Sequence, residues 1–180
     1  PFTGLARLVG TNFQTVMKRQ RETRQGVALF EDAQGVVWWG DHTGAWRVSG
    51  DQPELLAGVD WNVEGQVRCI GESGTGVLWF GTDKGLVRYA AEETPAFTRL
   101  TPRDGLVADS INALHFDAAG RLWAGSARGG VSCFDGTSFV NHAVADGAPD
   151  TWVSEITSDS DGGLWFATYY HGVAGLDDQS

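Results

Sequence analysis

The side chains able to do chemistry gather in four short stretches of this chain: Asp41-His42-Thr43, Thr82-Asp83-Lys84, Ser126-Ala127-Arg128 and Thr168-Tyr169-Tyr170-His171. Two adjacent tyrosines beside a histidine can stack on a sugar ring or another planar ligand and hydrogen-bond its rim. Asp41 and Asp83 would form a glycosidase-type pair if they faced each other across roughly 5 to 10 Å. His42, Lys84 and Arg128 add titratable or cationic contacts for a ligand. Trp61 and Trp152, each just ahead of a strand-like run, are candidates for the same rim. Packing between neighbouring sheets would suit either residue as well, and Trp152 rather more. Unconstrained surface turns have the same composition, so position has to decide between the two readings.

Other constellations carry less. No G-x-S-x-G, Walker loop or HExxH occurs, and nothing in the sequence pairs a serine with a histidine. His42, His115, His142 and His171 lack metal-ligand spacing, and Asp159-Ser160-Asp161-Gly162 lacks the spaced ligands of a calcium loop. No metal or cofactor is therefore expected. Cys69 and Cys133 sit in apolar runs and read as buried free thiols. Lys18, Arg19, Arg21 and Arg24 form a basic cluster, suited to an anionic ligand, a partner domain or a charged strand edge. The net charge of −10 opposes a phosphate backbone, so nucleic acid is not an expected partner. No apolar run reaches the ~18 to 20 residues that cross a bilayer. The chain begins at Pro1 without a charged-then-apolar leader, as a processed protein or a fragment would.

The candidate stretches owe their places to an internal repeat. GVVWWGDHTGAWRV, GVLWFGTDKGLVRY, GRLWAGSARGGVSCF and GGLWFATYYHGVAGL align on Trp38, Trp79, Trp123 and Trp165, which are 41, 44 and 42 residues apart. A glycine stands three residues before each tryptophan, and a small residue (Gly40, Gly81, Gly125 or Ala167) stands two after it. An apolar run precedes each unit, with anchors at Val67 and Ile70, Ile111 and Leu114, Val153 and Ile156, and Gly26 and Leu29 in the first. Asp32, Asp117 and Asp159, with Ser73 in the second unit, each open a D-x-x-G turn. Each unit thus resolves into strands A to D. PELL, FTRL and FVNH supply strand D.

Four short antiparallel strands per ~40 to 45 residues is the arithmetic of a β-propeller. A helical solenoid is excluded because no unit shows a 3.6-residue apolar period and glycines interrupt every candidate helix. The expected fold is all-β, about four four-stranded blades forming an arc of a larger propeller. Residues 1–20 would end a preceding blade, 21–60, 61–101 and 102–145 form blades, and 146–180 form an incomplete one. The count is seventeen strands. The candidate turns are then the B–C loops, which share a face with the D–A connections.

The stretch DGLVADSINALHFDAAGRLWAGSARGGVSCFDGTSF resembles the two-component regulator propeller repeat, as do the shorter motifs around Trp38, Trp79 and Trp165. The first unit departs from it in RETRQGVAL, and the fourth in Ala167 and its Tyr-Tyr-His turn. WD-type repeats differ, since none of these tryptophans is followed by Asp, and sialidase Asp boxes place their Asp two residues before the glycine rather than three. The resemblance implies a non-catalytic, periplasmic or extracellular sensor propeller of a bacterial receptor, placed before a membrane helix and a kinase or cyclase. It implies as partner a small molecule, a glycan, or a neighbouring domain or subunit, including a dimer through the parent receptor. A propeller hydrolase or lyase and a protein-interaction platform are the alternatives.

Overall fold

The computed structural model describes residues 4–18, 28–49, 52–142 and 152–176. Its strands build five antiparallel sheets. The first pairs β1 (Gly4–Val9) with β2 (Asn12–Lys18). The second runs β3 (Ala28–Glu31), β4 (Val37–Asp41), β5 (Gly44–Ser49) and β6 (Gln52–Leu55). A one-turn helix, α1 (Trp61–Glu64), leads into β7 (Val67–Glu72), β8 (Leu78–Thr82), β9 (Gly85–Tyr89) and β10 (Phe97–Leu100). After a 3-10 turn at Pro102–Asp104 come β11 (Ile111–Phe116), β12 (Leu122–Ser126), β13 (Val131–Phe134) and β14 (Phe139–His142). The last sheet holds β15 (Val153–Ser158), β16 (Leu164–Thr168) and β17 (Gly172–Leu176).

Strand order follows chain order within every sheet, as in the blades of a β-propeller. The inner strands β3, β7, β11 and β15 pack side by side in that sequence, and the row does not close on itself. Among the described residues the strands number seventeen. Two short helical turns in the D–A connections are features that the strand reading does not contain. Asp60 caps α1 by accepting the Asn62 N–H, and Thr101 and Asp104 form a capping box. Of the basic cluster only Lys18, the last residue of β2, lies within the described residues, and Gly26 lies outside them.

Three of the four A–B turns are each organised by one carboxylate. Asp32, Asp117 and Asp159 accept backbone N–H groups two and four residues on through Oδ1, at 2.8 to 3.0 Å. Their Oδ2 atoms accept the indole N–H of Trp38, Trp123 and Trp165 at 2.8, 2.8 and 2.7 Å. The glycine of each tetrapeptide takes a positive φ and donates back to the first residue's carbonyl. The second unit is the exception. Ser73 Oγ still accepts the Val77 N–H at 3.2 Å, but it makes no bond to Trp79. A cavity of about 220 Å³ opens there, lined in part by Ser73, Thr75, Val77 and Trp79.

The tryptophan so fixed projects at the following sheet. Trp38 meets Phe80 edge-on at 6.1 Å, and Trp123 meets Phe166 at 6.0 Å. The fourth sheet has Ala124 where its neighbours have an aromatic, and Phe134 from β13 meets Trp79 instead, at 5.7 Å. Two residues beyond the tryptophan, the inner strand of the next sheet comes close. A Cβ on Gly40 would stand 2.3 Å from Val67 Cγ1, and one on Gly125 would stand 2.6 Å from Val153 Cγ1 and 3.2 Å from Ile156 Cδ1. Trp165 is 45% exposed, and among the described residues no inner strand follows its sheet to meet Ala167.

That both Val153 and Ile156 face Gly125 explains the three-residue spacing of the strand A anchors. Residues three apart on a regular strand face opposite ways. The register slips by one between Val67 and Cys69, Ile111 and Ala113, and Val153 and Glu155. These β-bulges return both anchors to one face and throw the extra residue (Arg68, Asn112 or Ser154) out of the ladder.

Two expectations follow from the carboxylate–indole tie. A charged hydrogen bond contributes ~1.5 to 3 kcal/mol, so Asp117→Asn should cost about 2 kcal/mol, whereas Ser73→Asp should gain about 1 kcal/mol by supplying the missing acceptor. Urea denaturation measures both, and a destabilised Ser73→Asp would count against the assignment. Burial raises the Asp117 carboxyl, but the bonds from Trp123 and Arg121 outweigh it and hold it below the usual range. The Trp165 bond does the same for Asp159. Depressed native values mean stability that is present above a pH of about 4 and lost as pH falls through them. Thermal melts should therefore drop on acidification below that point.

Candidate functional site

The B–C turns and D–A connections are tied together residue by residue. The Asp83, Ala127 and Tyr169 N–H groups donate to the carbonyls of Gln66, Ser110 and Trp152 at 3.2, 2.8 and 3.0 Å. A hydroxyl three residues after the tryptophan closes each turn from within: Thr82, Ser126 and Thr168 donate to Gly85, Gly130 and Gly172 carbonyls at 2.9, 2.9 and 3.0 Å. Asp41 holds this position in the first unit. It is 2% exposed, and its Oδ1 accepts the Thr43 N–H at 2.6 Å. Its offset from Trp38 is the sequence signal that it belongs to the turn.

The other candidate residues divide by what they touch. Asp83 Oδ1 accepts the Gln66 N–H at 2.8 Å, and Lys84 Nζ donates to the Asn62 carbonyl at 2.8 Å. Both clamp α1 to the β8–β9 turn. Asp41 and Asp83 are thus each engaged by backbone donors of the loops they brace. Trp61 is 5% exposed, packs edge-on against Phe80 at 5.7 Å and lies against Gly44. Its place is in the core between the second and third sheets, not on the rim. His42 Nδ1 lies 3.9 Å from Asp41 Oδ1, and the His171 N–H donates to Thr168 Oγ1 at 3.1 Å. Among the described residues no group of three or more His, Cys, Asp or Glu is placed to hold a metal.

Tyr169 and Tyr170 are 68% and 65% exposed and stand edge to face at 4.8 Å. Trp152 tilts against Tyr169 at 5.6 Å, which makes a row of three aromatics on the loop face. The other flank of Trp152 lines a cavity of about 580 Å³. Arg68, Val107, Asp109, Ser110 and Arg128 line it too, so the second, third and fourth units all contribute. That volume accommodates a small molecule. Of the residues picked out by composition, Arg128, Tyr169 and Tyr170 belong to this site. Arg68 was missed because a lone arginine inside an apolar run reads as a strand-edge charge, and only the bulge re-aims it.

Cys69, next to Arg68, lies with its Sγ where a Cβ on Gly81 would stand 2.3 Å away. Burial pushes the thiol up to about 12, and the charge of Glu155 adds to the effect.

Comparison with known proteins places this geometry. Residues 147–170 match the two component regulator propeller family. No curated protein sequence matches the chain. The structure is similar to BT3049 of B. thetaiotaomicron, named the extracellular domain of a hybrid two component system, with a TM-score of 0.72 and 21% identity over 85% of this chain and 22% of that one. It is similar to BT4673, of the same description and organism, with a TM-score of 0.66 and 20% identity over 83% of this chain and 23% of that one. A catalytically inactive form of virginiamycin B lyase from Staphylococcus aureus matches with a TM-score of 0.64 and 13% identity, over 96% of this chain and 61% of that one. At these identities the likeness is one of fold. The chain spans less than a quarter of the length of the two hybrid-system domains.

The raised thiol gives a direct check. Cys69, half-buried with its Sγ packed against Gly81, should react with a thiol reagent far more slowly at neutral pH than a free cysteine does. A raised native value also means that its contribution to stability is intact below a pH of about 9 and declines as pH rises from there toward about 12. Rapid modification of Cys69 in the folded protein at neutral pH would contradict this environment.

Proposed function

We propose that this chain, which carries the two component regulator propeller repeat in its last unit, is a non-catalytic sensory region of a bacterial signalling receptor. It works outside the cytoplasm, as the extracellular domains of similar fold do. The observation that carries the reading is the exposed Trp152–Tyr169–Tyr170 row beside a cavity of about 580 Å³. Neither feature is needed to hold the blades together, since the inter-sheet clusters are built from other residues. Exposed aromatics of this kind stack on ring-bearing ligands.

Signalling would proceed through packing. The cavity wall draws on residues of three consecutive units, so a ligand that binds there favours one angle between them over others. Strand B of one sheet lies close against the inner strand of the next at Gly40 and Gly125, and an angular change at one junction is felt by the next. No helix among the described residues is long and apolar enough to cross a membrane, and the receptor's span and output would lie elsewhere in its chain. The same tyrosines support a second reading, a platform for a neighbouring domain or subunit.

Alanine replacement separates these. Tyr169→Ala with Tyr170→Ala should leave the melting temperature nearly unchanged, as both rings are exposed, and should weaken binding of ring-bearing small molecules by about tenfold, the equivalent of ~1.4 kcal/mol. Calorimetry against a panel of neutral and acidic mono- and disaccharides and aromatic acids measures it. Loss of a protein partner with no small-molecule binding by either form would favour the platform.

A further inference from the structure

We infer that the cavity between the D–A connections of the third and fourth sheets is an anion site, built to take a carboxylate or sulfate carried on a flat ring. The inference rests on the sensory reading above and names the ligand class for that same site. Its first support is the state of two arginines. Arg88, Arg99 and Arg121 each have a carboxylate oxygen at 2.6, 3.3 and 2.7 Å. Arg68 and Arg128 line the cavity, and among the described residues neither forms such a pair. In a chain with a net charge of −10, unpaired cations facing a common hollow run against the average field.

The second support is the hydrogen bonding of Arg68. Its Nη1 donates weakly to Asn112 Oδ1 at 3.4 Å, while its Nε and the Asn112 Nδ2 are buried donors that meet no acceptor. Buried polar groups in native proteins are nearly always satisfied, and an adjacent pair that is not calls for an explanation, of which a ligand beside Arg68 is one. Arg68 and Asn112 are also the residues that the two successive bulges expel from their ladders. Bulges next to binding sites serve to re-aim a side chain in this way.

The cavity supplies the remaining parts. Ser110 offers a hydroxyl, Val107 and Ala108 give apolar walls, and Trp152 presents a ring at one side. A guanidinium fork binds a carboxylate or sulfate through two parallel N–H bonds, and a neighbouring indole covers the flat body attached to it. Asp109 is the single carboxylate among the lining residues, and it opposes the anion from the rim.

Two-naphthoate and its neutral isostere 2-naphthamide test this on the intact chain by calorimetry, with 2-naphthyl sulfate distinguishing carboxylate from sulfate. Two-naphthoate or the sulfate should bind at least tenfold more tightly than the amide and lose affinity as salt is raised. Arg68→Gln and Arg128→Gln should each weaken the anion about tenfold and leave the amide unchanged, and Asp109→Asn should strengthen it. Arg128 is an exposed turn residue, so its variant decides the matter if Arg68→Gln fails to fold. Equal binding of the acid, the sulfate and the amide, or an anion affinity indifferent to Arg128→Gln, overturns the anion site while leaving a neutral-ligand sensor standing. No binding by any of the three probes overturns the site, and the sensory reading is then judged separately by the tyrosine variants and saccharide panel.

Discussion

A carboxylate held between a turn and an indole sets the geometry from which the rest of this molecule follows. In three of four units, one aspartate oxygen gathers two backbone N–H groups of the A–B turn and the other fixes the tryptophan of strand B. A sheet of four short strands has two apolar faces and cannot cover either alone. By locking the largest side chain of the blade in one orientation, the aspartate decides which face meets the next blade and how far the ring reaches. Glycine two residues later then allows the neighbouring inner strand to approach. The unit with Ser73 lacks the tie; Trp79 stays buried there against Phe134, with a cavity of about 220 Å³ beside it.

The loop face is a consequence of the same register. Because the tryptophan fixes strand B, the residues three and four positions beyond it arrive at the B–C turn, where in the last three units a hydroxyl closes the turn and a backbone N–H reaches the carbonyl ahead of strand A. These bonds leave only the turn tip free to vary. Asp41, Asp83 and Lys84 are used up in bracing the loops. Tyr169, Tyr170 and Arg128 are not, and they border the aromatic row and cavity. Structural demand and chemical opportunity are separated by one or two residues of offset.

Much of this was legible in the residues. Gly, Trp and a small residue at constant spacing gave the blade, its strand order and the two turns, because those positions are dictated by local backbone geometry repeated four times. The carboxylate's second partner was not legible, since D-x-x-G explains itself as a turn without any indole. Trp61 read equally as a rim or a packing residue because a tryptophan outside the repeat has no assigned place in it, and only the approach of Gly44 shows that it fills the core. Spacing the strand A anchors by three contained the bulge in principle: two core residues at that interval cannot share a face on a flat strand.

What the sequence determined by itself is the repeating unit: its strands, its turns, its junction residues, and a net charge of −10. Those properties depend on side-chain size, glycine conformation and charge, all of which are local or additive. Which polar residues remain available for a ligand was decided only in three dimensions. Arg68, Arg128 and Trp152 belong to three different units, far apart in sequence, and meet because bulged inner strands and bonded loops bring them around one cavity. A hydrogen bond either occupies a side chain or leaves it free, and that depends on neighbours the linear order does not specify.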